Sequence, residues 1–200
     1  MKTIAFYFDF MSPYAYLGSV GVERLAQKHG YDVDWRPMLL GISVVKVMGL
    51  KGVADTPLKR DYVRRDVVRL ARYLDIPFNR ATDGPMTSLP AARAFVWLNE
   101  RDRATARDFA RAVFHAQWAE ATDMSSPATV AALVASFGIE ADQALAAIAD
   151  ESVKRHLREQ VDASLSLGVF GAPTFLIGTE MFWGVDRLPM VERWLETGGW

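Results

Sequence analysis

The sequence TIAFYFDFMSPYAYLGSVGVERLAQKHGYDVDWRP, residues 3–37, contains two strand patterns with one helix pattern between them. Residues 3–8 (TIAFYF) are β-branched and aromatic, which predicts a buried strand. Hydrophobic side chains then recur with helical period from Tyr16 to Ala26, and Gly30 stands where a helix-ending glycine is expected. Residues 33–37 (VDWRP) alternate in polarity and predict a second strand closed by proline. Strand, helix and strand form a βαβ unit, which we expect to be parallel and right-handed.

The rest of the chain is helical in the middle and returns to strand character near its end. From about residue 40 to residue 167, hydrophobic stripes recur with helical period. Residues 174–183 (TFLIGTEMFW) predict two short strands joined by a tight hairpin, followed by a closing helix. Neither half-sheet could cover its own faces. We therefore predict an α/β sheet domain built from residues 1–39 plus 168–200, interrupted by a helical insertion domain of residues 40–167.

The composition excludes several kinds of chemistry. The chain of 200 residues contains no cysteine, which rules out disulfides, thiolate–zinc sites, iron–sulfur clusters and a nucleophilic protein thiol. Its three histidines, His29, His115 and His156, form no closely spaced pair. No sequence motif supports a histidine-based metal site or a Ser-His-Asp triad, although both stay alternatives. No metal ligands are predicted.

Charge and hydropathy are typical of a soluble globular protein. Half of the residues are hydrophobic and 24% are charged. The 23 basic and 24 acidic side chains leave a formal net charge of −1, so no net basic field favours nucleic acid. No apolar run has the roughly 18 to 20 residues of a membrane span, and the start MKTIAFYFDF lacks a signal-peptide pattern. We therefore expect a cytoplasmic protein with no membrane or nucleic-acid partner.

Ser12-Pro13 is the most informative dipeptide. It lies between the first predicted strand and the first helix, at the strand end where open α/β sheets place their ligands. Proline suits the first helical position and serine the N-cap, so one interpretation is that Ser12 only caps the helix. The alternative is that free N–H groups and the helix dipole stabilise an anion beside Ser12. Such surroundings favour a thiolate, and because the chain has no thiol, a ligand would have to bring it.

Two further motifs also have a structural and a functional interpretation. Ala172-Pro173 precedes a predicted strand and is either trans or a cis turn, and the pattern alone favours trans because about 5–6% of X-Pro bonds are cis. Asp186 follows the last predicted strand. Its carboxylate would either cap the closing helix, which the pattern favours, or receive the ammonium group of a ligand.

Four stretches together match a known family. They are residues 7–17 (YFDFMSPYAYL), residues 59–62 (KRDY) with Asp66 and Arg69, residues 170–175 (FGAPTF) and residues 180–188 (EMFWGVDRL). On these motifs the chain resembles the 2-hydroxychromene-2-carboxylate isomerase family, relatives of the kappa-class glutathione transferases and of the DsbA branch of the thioredoxin fold. The similarity spans the whole chain, and its two terminal motifs are the most specific. It implies a thioredoxin-like fold (βαβ…ββα) interrupted by a large all-helical insertion.

The resemblance implies glutathione as the cofactor. Ser12 stands where oxidoreductase relatives carry their first active-site cysteine, and Ala15 where they carry the second. Ser12 is then the catalytic residue that faces the glutathione sulfur. The resemblance also makes Pro173 cis. It assigns the other glutathione contacts to Ala172, Pro173, Trp183, Gly184, Val185 and Asp186.

The resemblance carries over less well to the substrate pocket. Lys46 matches a family lysine near the acidic substrate, with a solvated surface lysine as the alternative. Where the isomerases of naphthalene breakdown have a polar Asn-Arg pair, this chain has Val53 and Ala54. Their aromatic substrate contact falls near residues 83–85, which read Asp-Gly-Pro here. A pocket with fewer polar groups fits a different aromatic or conjugated compound.

The activity implied by the resemblance is a glutathione-dependent cis–trans isomerisation of a small conjugated aromatic carboxylate. Thiolate addition turns the conjugated double bond into a single bond that rotates freely, and elimination restores it in the other geometry. A kappa-type transferase would use the same thiolate. A non-catalytic glutathione-binding module is the third alternative. Relatives are often dimers, so a homodimer is an alternative to a monomer.

Overall fold

The computed structural model of the chain describes residues 2–79 and 86–200. The chain forms two compact units. One contains Met1–Ile76 and Ser164–Trp200, and the other contains Pro77–Ala163. The first unit is therefore built from both ends of the chain, which encloses the second unit in sequence.

The first boundary between the two units falls later in the sequence than predicted at residue 40. Residues 40–76 group with the sheet rather than with the helical unit. Hydrogen bonds hold them there. The Leu40 N–H donates to the Asp9 carboxylate (2.7 Å), and the Tyr14 hydroxyl donates to Asp66 (2.8 Å).

Within the described residues, a mixed sheet of four strands forms the centre of the first unit. Its strands are β1 (Thr3–Phe8), β2 (Asp32–Pro37), β3 (Thr174–Ile177) and β4 (Glu180–Trp183), in the order β2-β1-β3-β4. β1 and β2 are parallel, as predicted, whereas β3 runs antiparallel to both β1 and β4. The predicted βαβ unit and the predicted hairpin therefore share one sheet.

Helix α1 (Pro13–His29) connects β1 to β2. The Ser12 hydroxyl oxygen caps its start by accepting a hydrogen bond from the Ala15 N–H, and Gly30 ends it with φ 69°, a left-handed conformation that glycine adopts readily. At Gly18 the helix packs closely on the loop before β3, because a Cβ there would lie 3.0 Å from the Pro173 ring. α1 is thus fixed directly against that loop.

One face of the sheet has an aromatic core. Phe6 on β1 is completely buried, and its ring centroid lies 4.9 Å from that of Trp35 and 5.6 Å from those of Phe8 and Phe175. Alternate residues of a strand point to the same face, so Phe6 and Phe8 meet neighbours on β2 and β3. These contacts hold the ends of β1 and β3, where the candidate site lies, in a fixed register.

Between β2 and β3, the described residues form mainly helices. A π-helical turn (Gly41–Val47) and a 3-10 turn (Val53–Asp55) precede α2 (Lys59–Tyr73), α3 (Leu89–Asn99), α4 (Arg103–Trp118), α5 (Pro127–Ala135), α6 (Ala141–Ala149) and α7 (Glu151–Ser166). The predicted stripes form cores here too, since Phe109, Val113, Val130 and Val134 are completely buried. None of the helices in the described part of the chain has both the length and the apolar composition that crossing a membrane requires.

The prediction that Asp186 caps the closing helix is wrong. A 3-10 turn (Val185–Arg187) follows β4, and α8 (Leu188–Thr197) begins only after Arg187. Gly184 has φ 109°, and the Asp186 carboxylate occupies the space that a Cβ on Gly184 would need. The carboxylate therefore turns back towards Gly184 instead of forwards to the helix.

Candidate active site

Ser12 lies at the N-terminus of α1, just after β1 ends. It is only 5% exposed, and its hydroxyl accepts a hydrogen bond from the Ala15 N–H (3.1 Å) while donating one to the Ala172 carbonyl (3.1 Å). Ser12 and Ala172 are 160 residues apart in the sequence. The fold thus joins two residues that the resemblance assigned to the same ligand.

The loop that carries Ala172 contains a cis peptide bond before Pro173. The pattern alone favoured trans, and the cis bond implied by the family resemblance is confirmed. The Gly184 N–H donates to the Pro173 carbonyl (2.9 Å), which ties this loop to the end of β4. Ser12, the cis-proline loop and Gly184 therefore form one continuous site.

An aromatic pair borders the cis-proline loop. The ring centroids of Phe170 and Trp183 are 4.8 Å apart, and both side chains are partly exposed. The Trp183 indole lies directly over Gly171, because a Cβ on that residue would overlap the indole nitrogen. Trp183 also lines a cavity of about 340 Å³ at the edge strand β4, together with Trp194 and Trp200.

The two residues after Gly184 differ in exposure. Val185 is buried, whereas the Asp186 side chain is 63% exposed. The Asp186 carboxylate pairs with the Arg187 guanidinium at 3.0 Å. Since an ionised carboxylate has about four acceptor positions, it can still accept a hydrogen bond from an ammonium group.

Asp9 is a buried carboxylate that the sequence analysis did not single out. It is 2% exposed, and its two carboxylate oxygens accept the Met11 N–H (3.0 Å) and the Leu40 N–H (2.7 Å). Its main-chain carbonyl accepts the Ser12 N–H (2.9 Å). Asp9 therefore shapes the loop before Ser12 and anchors the segment that leads to Lys46. The available signal was a charged residue placed directly after a buried strand.

Comparison with known proteins identifies the family. The chain matches the family model of the DSBA-like thioredoxin domain over residues 3–196. It is 31% identical over 195 residues to the 2-hydroxychromene-2-carboxylate isomerase of Pseudomonas putida, covering 94% of this chain and 92% of that protein. The chain belongs to the 2-hydroxychromene-2-carboxylate isomerase family. The predicted resemblance and the predicted thioredoxin-like fold are both confirmed.

Two further comparisons place the isomerase family in its wider context. Glutathione S-transferase kappa 2 of Caenorhabditis elegans is 28% identical to this chain, with 97% of this chain and 92% of that protein covered. A solved 2-hydroxychromene-2-carboxylate isomerase structure superimposes with a TM-score of 0.85 at 27% identity, covering 97% of this chain and 94% of the other. The architecture of this isomerase family is therefore shared along nearly the whole chain.

The family positions expected to contact substrate lie on exposed turns. Lys46 is in the last turn of the π-helical segment, and Val53 and Ala54 belong to the 3-10 turn. All three side chains are exposed. The stretch near residues 83–85, where the aromatic contact of the naphthalene-breakdown isomerases was aligned, lies outside the described residues. The substrate-binding roles of Lys46, Val53 and Ala54 stay predictions.

At the other end of α1 from Ser12, among the described residues, three groups able to ligate a metal lie together. His29 Nε2 is 3.5 Å from Glu192 and 3.9 Å from Glu196, and the three candidate ligand atoms all lie within 4.8 Å of one another. The Lys28 ammonium is 2.7 Å from Glu192 and, through this hydrogen bond, lowers the pKa of that carboxyl group. Ion pairing between α1 and α8 accounts for this cluster.

Proposed function

We propose that this chain is a glutathione-dependent cis–trans isomerase of a conjugated aromatic carboxylate. The observation that carries the proposal is the hydrogen bond between Ser12 and Ala172 at the N-terminus of α1. It brings together a hydroxyl, the start of a helix and a main-chain carbonyl. The hydroxyl and the helix N-terminus suit the ionised sulfur of a peptide thiol. The main-chain carbonyl suits an N–H of its peptide backbone. The names of the isomerase and kappa-transferase relatives also support the proposal.

The chemistry of the side chains fits glutathione. The Ser12 hydroxyl at the N-terminus of α1 can donate to an ionised sulfur. The Ser12 hydroxyl would turn from the Ala172 carbonyl to the sulfur. The main-chain groups of Ala172 can then pair with the backbone of the tripeptide. The exposed Asp186 carboxylate can accept the α-ammonium group, while Trp183 can cover the apolar part of the ligand.

The start of α1 is the physical reason for ionisation of a thiol at this site. A free cysteine thiol has a pKa of about 8.5, and the partial positive charge of a helix N-terminus favours its anion. Glutathione, when bound, would supply the thiolate that adds to the conjugated carbon of the substrate and later leaves. The carbon–carbon double bond is then a single bond while it rotates. Ser12 stabilises the ionised sulfur by donating a hydrogen bond. Lys46 supplies positive charge near the carboxylate of the substrate and stabilises the enolate that forms when the thiolate adds and the electron pair of the double bond moves to the conjugated oxygen.

We extend the proposal to the class of substrate. Val53 and Ala54 are exposed on the 3-10 turn and offer no side-chain hydrogen bond, in place of the polar pair of the naphthalene-breakdown isomerases. Recognition at this turn then depends on apolar contact, with Lys46 selecting for an acidic group. This favours a conjugated aromatic acid with few polar groups besides its carboxylate.

A cis–trans equilibration assay tests the activity. The rate is followed for 2-hydroxychromene-2-carboxylate and for less polar conjugated aromatic acids, with glutathione, with S-methylglutathione and with neither. We expect turnover only with glutathione, because the S-methyl compound keeps the peptide groups but has no thiol that can ionise. A catalysed rate that is the same under all three conditions would refute the mechanism.

Replacing Gly171 with alanine should weaken glutathione binding. The new Cβ overlaps the Trp183 indole nitrogen, so the indole must leave its place beside the cis-proline loop. A loss of about 1 kcal/mol of binding free energy would raise the dissociation constant for glutathione about fivefold. Calorimetry measures this change. Gly41→Ala is the matched control, because a Cβ at Gly41 meets nothing within 4 Å. Unchanged affinity in Gly171→Ala would mean that Trp183 does not contact glutathione.

A kappa-type transferase is the second candidate function. It is favoured by the 28% identity to the Caenorhabditis elegans kappa transferase over 97% of this chain. The two activities share the thiolate and differ in the product. Mass spectrometry after turnover distinguishes them, because a transferase accumulates a stable thioether conjugate whereas an isomerase releases a product with the mass of its substrate.

A further inference from the structure

Two residues after Ser12, the side chain of Tyr14 is bonded to the middle of α2. Its hydroxyl donates to one carboxylate oxygen of Asp66 at 2.8 Å, and the other oxygen of Asp66 accepts a hydrogen bond from Arg69. The Arg69 guanidinium also lies 5.7 Å from the ring centroid of Tyr62. The first turn of α1 is thereby tied to α2 within the same unit.

The direction of the Tyr14–Asp66 hydrogen bond is constant across the neutral pH range. Partial burial, reinforced by the bond to Asp66 and by its negative charge, raises the pKa of Tyr14 well above the ordinary value. Burial would raise the pKa of Asp66 too, but the hydrogen bonds from Tyr14 and Arg69 outweigh it and lower that pKa. The phenol therefore stays protonated and the carboxylate ionised, which makes this a charge-assisted bond.

In the first turn of α1, one main-chain N–H is left without an acceptor among the described residues. The first N–H groups of a helix have no acceptor within the helix. Pro13 has no N–H, the Ala15 N–H donates to the Ser12 hydroxyl oxygen, and the Ser12 N–H donates to the Asp9 carbonyl. Of these four consecutive described residues, Tyr14 is thus the one whose N–H has no partner.

Tyr14 therefore combines a free N–H next to Ser12 with a side chain anchored on α2. Pro13, which lies between the two residues, has its φ fixed by its ring, so Ser12 and Tyr14 move together as one turn. We propose that Tyr14 is a positioning residue, whose hydrogen bond to Asp66 aims its own N–H and the Ser12 hydroxyl at the sulfur of a bound thiol. This inference rests on the proposed function, since it requires glutathione at Ser12.

The test is the pKa of the thiol of glutathione bound to wild-type and Tyr14→Phe protein. Ultraviolet absorbance of the thiolate is followed against pH, and the dissociation constant is measured by calorimetry on the same samples. Tyr14→Phe removes only the hydroxyl and frees the first turn. We expect the pKa of the bound thiol to rise by about half a unit, which is about a threefold change in the thiolate-to-thiol ratio.

Tyr73→Phe is the matched control. The Tyr73 side chain is 84% exposed at the end of α2, so removal of its hydroxyl should leave the pKa of the bound thiol unchanged. Asp66→Ala removes the acceptor of the same bond and provides a second, independent variant. The double change should shift the thiol pKa no further than either single change, because all three break one interaction.

The outcomes separate the positioning role from glutathione binding. A purely structural role for Tyr14 would lower the melting temperature of both variants while the thiol pKa stays at the wild-type value, and that result would overturn the inference alone. Calorimetry that detects no glutathione binding to the wild-type protein would overturn the proposed function together with the inference. A raised thiol pKa in both variants, with the wild-type value in Tyr73→Phe, supports the inference.

Discussion

Replacing Phe6 with alanine is expected to lower the free energy of unfolding by about 3–5 kcal/mol. Phe6 lies on β1 between two other strands, is completely buried and packs against Phe8, Trp35 and Phe175. Those rings belong to three hydrogen-bonded strands, so they can move only partly into the space that the substitution leaves. Since whole domains are stable by about 5–15 kcal/mol, this single change removes a large share of the stability.

Urea unfolding followed by circular dichroism measures the effect of Phe6→Ala. The midpoint should fall while the slope stays near the wild-type value, because the same surface becomes exposed. Tyr73→Ala is the control, since that ring is 84% exposed at the end of α2 and its removal should change the stability by no more than about 0.5 kcal/mol. A loss of less than about 1 kcal/mol for Phe6→Ala would contradict a closely packed aromatic core.

Local patterns were sufficient wherever one short stretch determines its own conformation. The strand predicted at residues 3–8 has those bounds in the structure, because a β-branched and aromatic run ends at the charged Asp9. Gly30 adopts the left-handed conformation that ends α1, and Gly178 does so in the hairpin, with φ 62°. At both positions the flanking pattern requires a turn, and glycine adopts the positive φ of that turn at no steric cost.

Local patterns failed where a neighbouring element decides the outcome. Asp186 has the sequence context of a helix cap, yet the positive φ of Gly184 inserts a 3-10 turn and directs the carboxylate backwards. The first compact unit extends to Ile76 rather than ending near residue 40 for a similar reason. Helical periodicity identifies a helix but does not indicate which unit it packs on, and Asp9 and Tyr14 bind residues 40–76 to the sheet unit.

The candidate site depends on contacts between residues that are distant in the sequence. The capping role of Ser12 was readable from Ser-Pro, whereas its bond to Ala172 spans 160 residues and the Tyr14–Asp66 bond spans 52. Such pairs arise from packing of α1 against β3 and α2, which no periodicity encodes. The cis bond at Pro173 came from the family resemblance, because the intrinsic preference of an X-Pro bond is for trans.

Replacing Ser12 with alanine is expected to lower turnover at least about 10-fold, with a smaller loss of glutathione affinity. In the proposed mechanism the hydroxyl donates to the ionised sulfur, while the backbone of Ala172 and the carboxylate of Asp186 hold the rest of the tripeptide. Those other contacts persist in the variant, so most of the binding is retained. A tenfold loss corresponds to about 1.4 kcal/mol, close to the ~1.5–3 kcal/mol of a hydrogen bond to a charged group.

Ser12 is also the N-cap of α1, so Ser12→Ala should cost about 1 kcal/mol of stability in addition. The control must lose a cap at a residue that has no role in the proposed glutathione site, and Ser126→Ala does so. Ser126-Pro127 repeats the Ser-Pro arrangement at the start of α5, where the Ser126 hydroxyl accepts the Thr129 N–H at 3.5 Å. Wild-type turnover in Ser126→Ala beside a tenfold loss in Ser12→Ala separates the chemistry from the capping. Wild-type kcat in Ser12→Ala would instead show that the hydroxyl serves the helix alone.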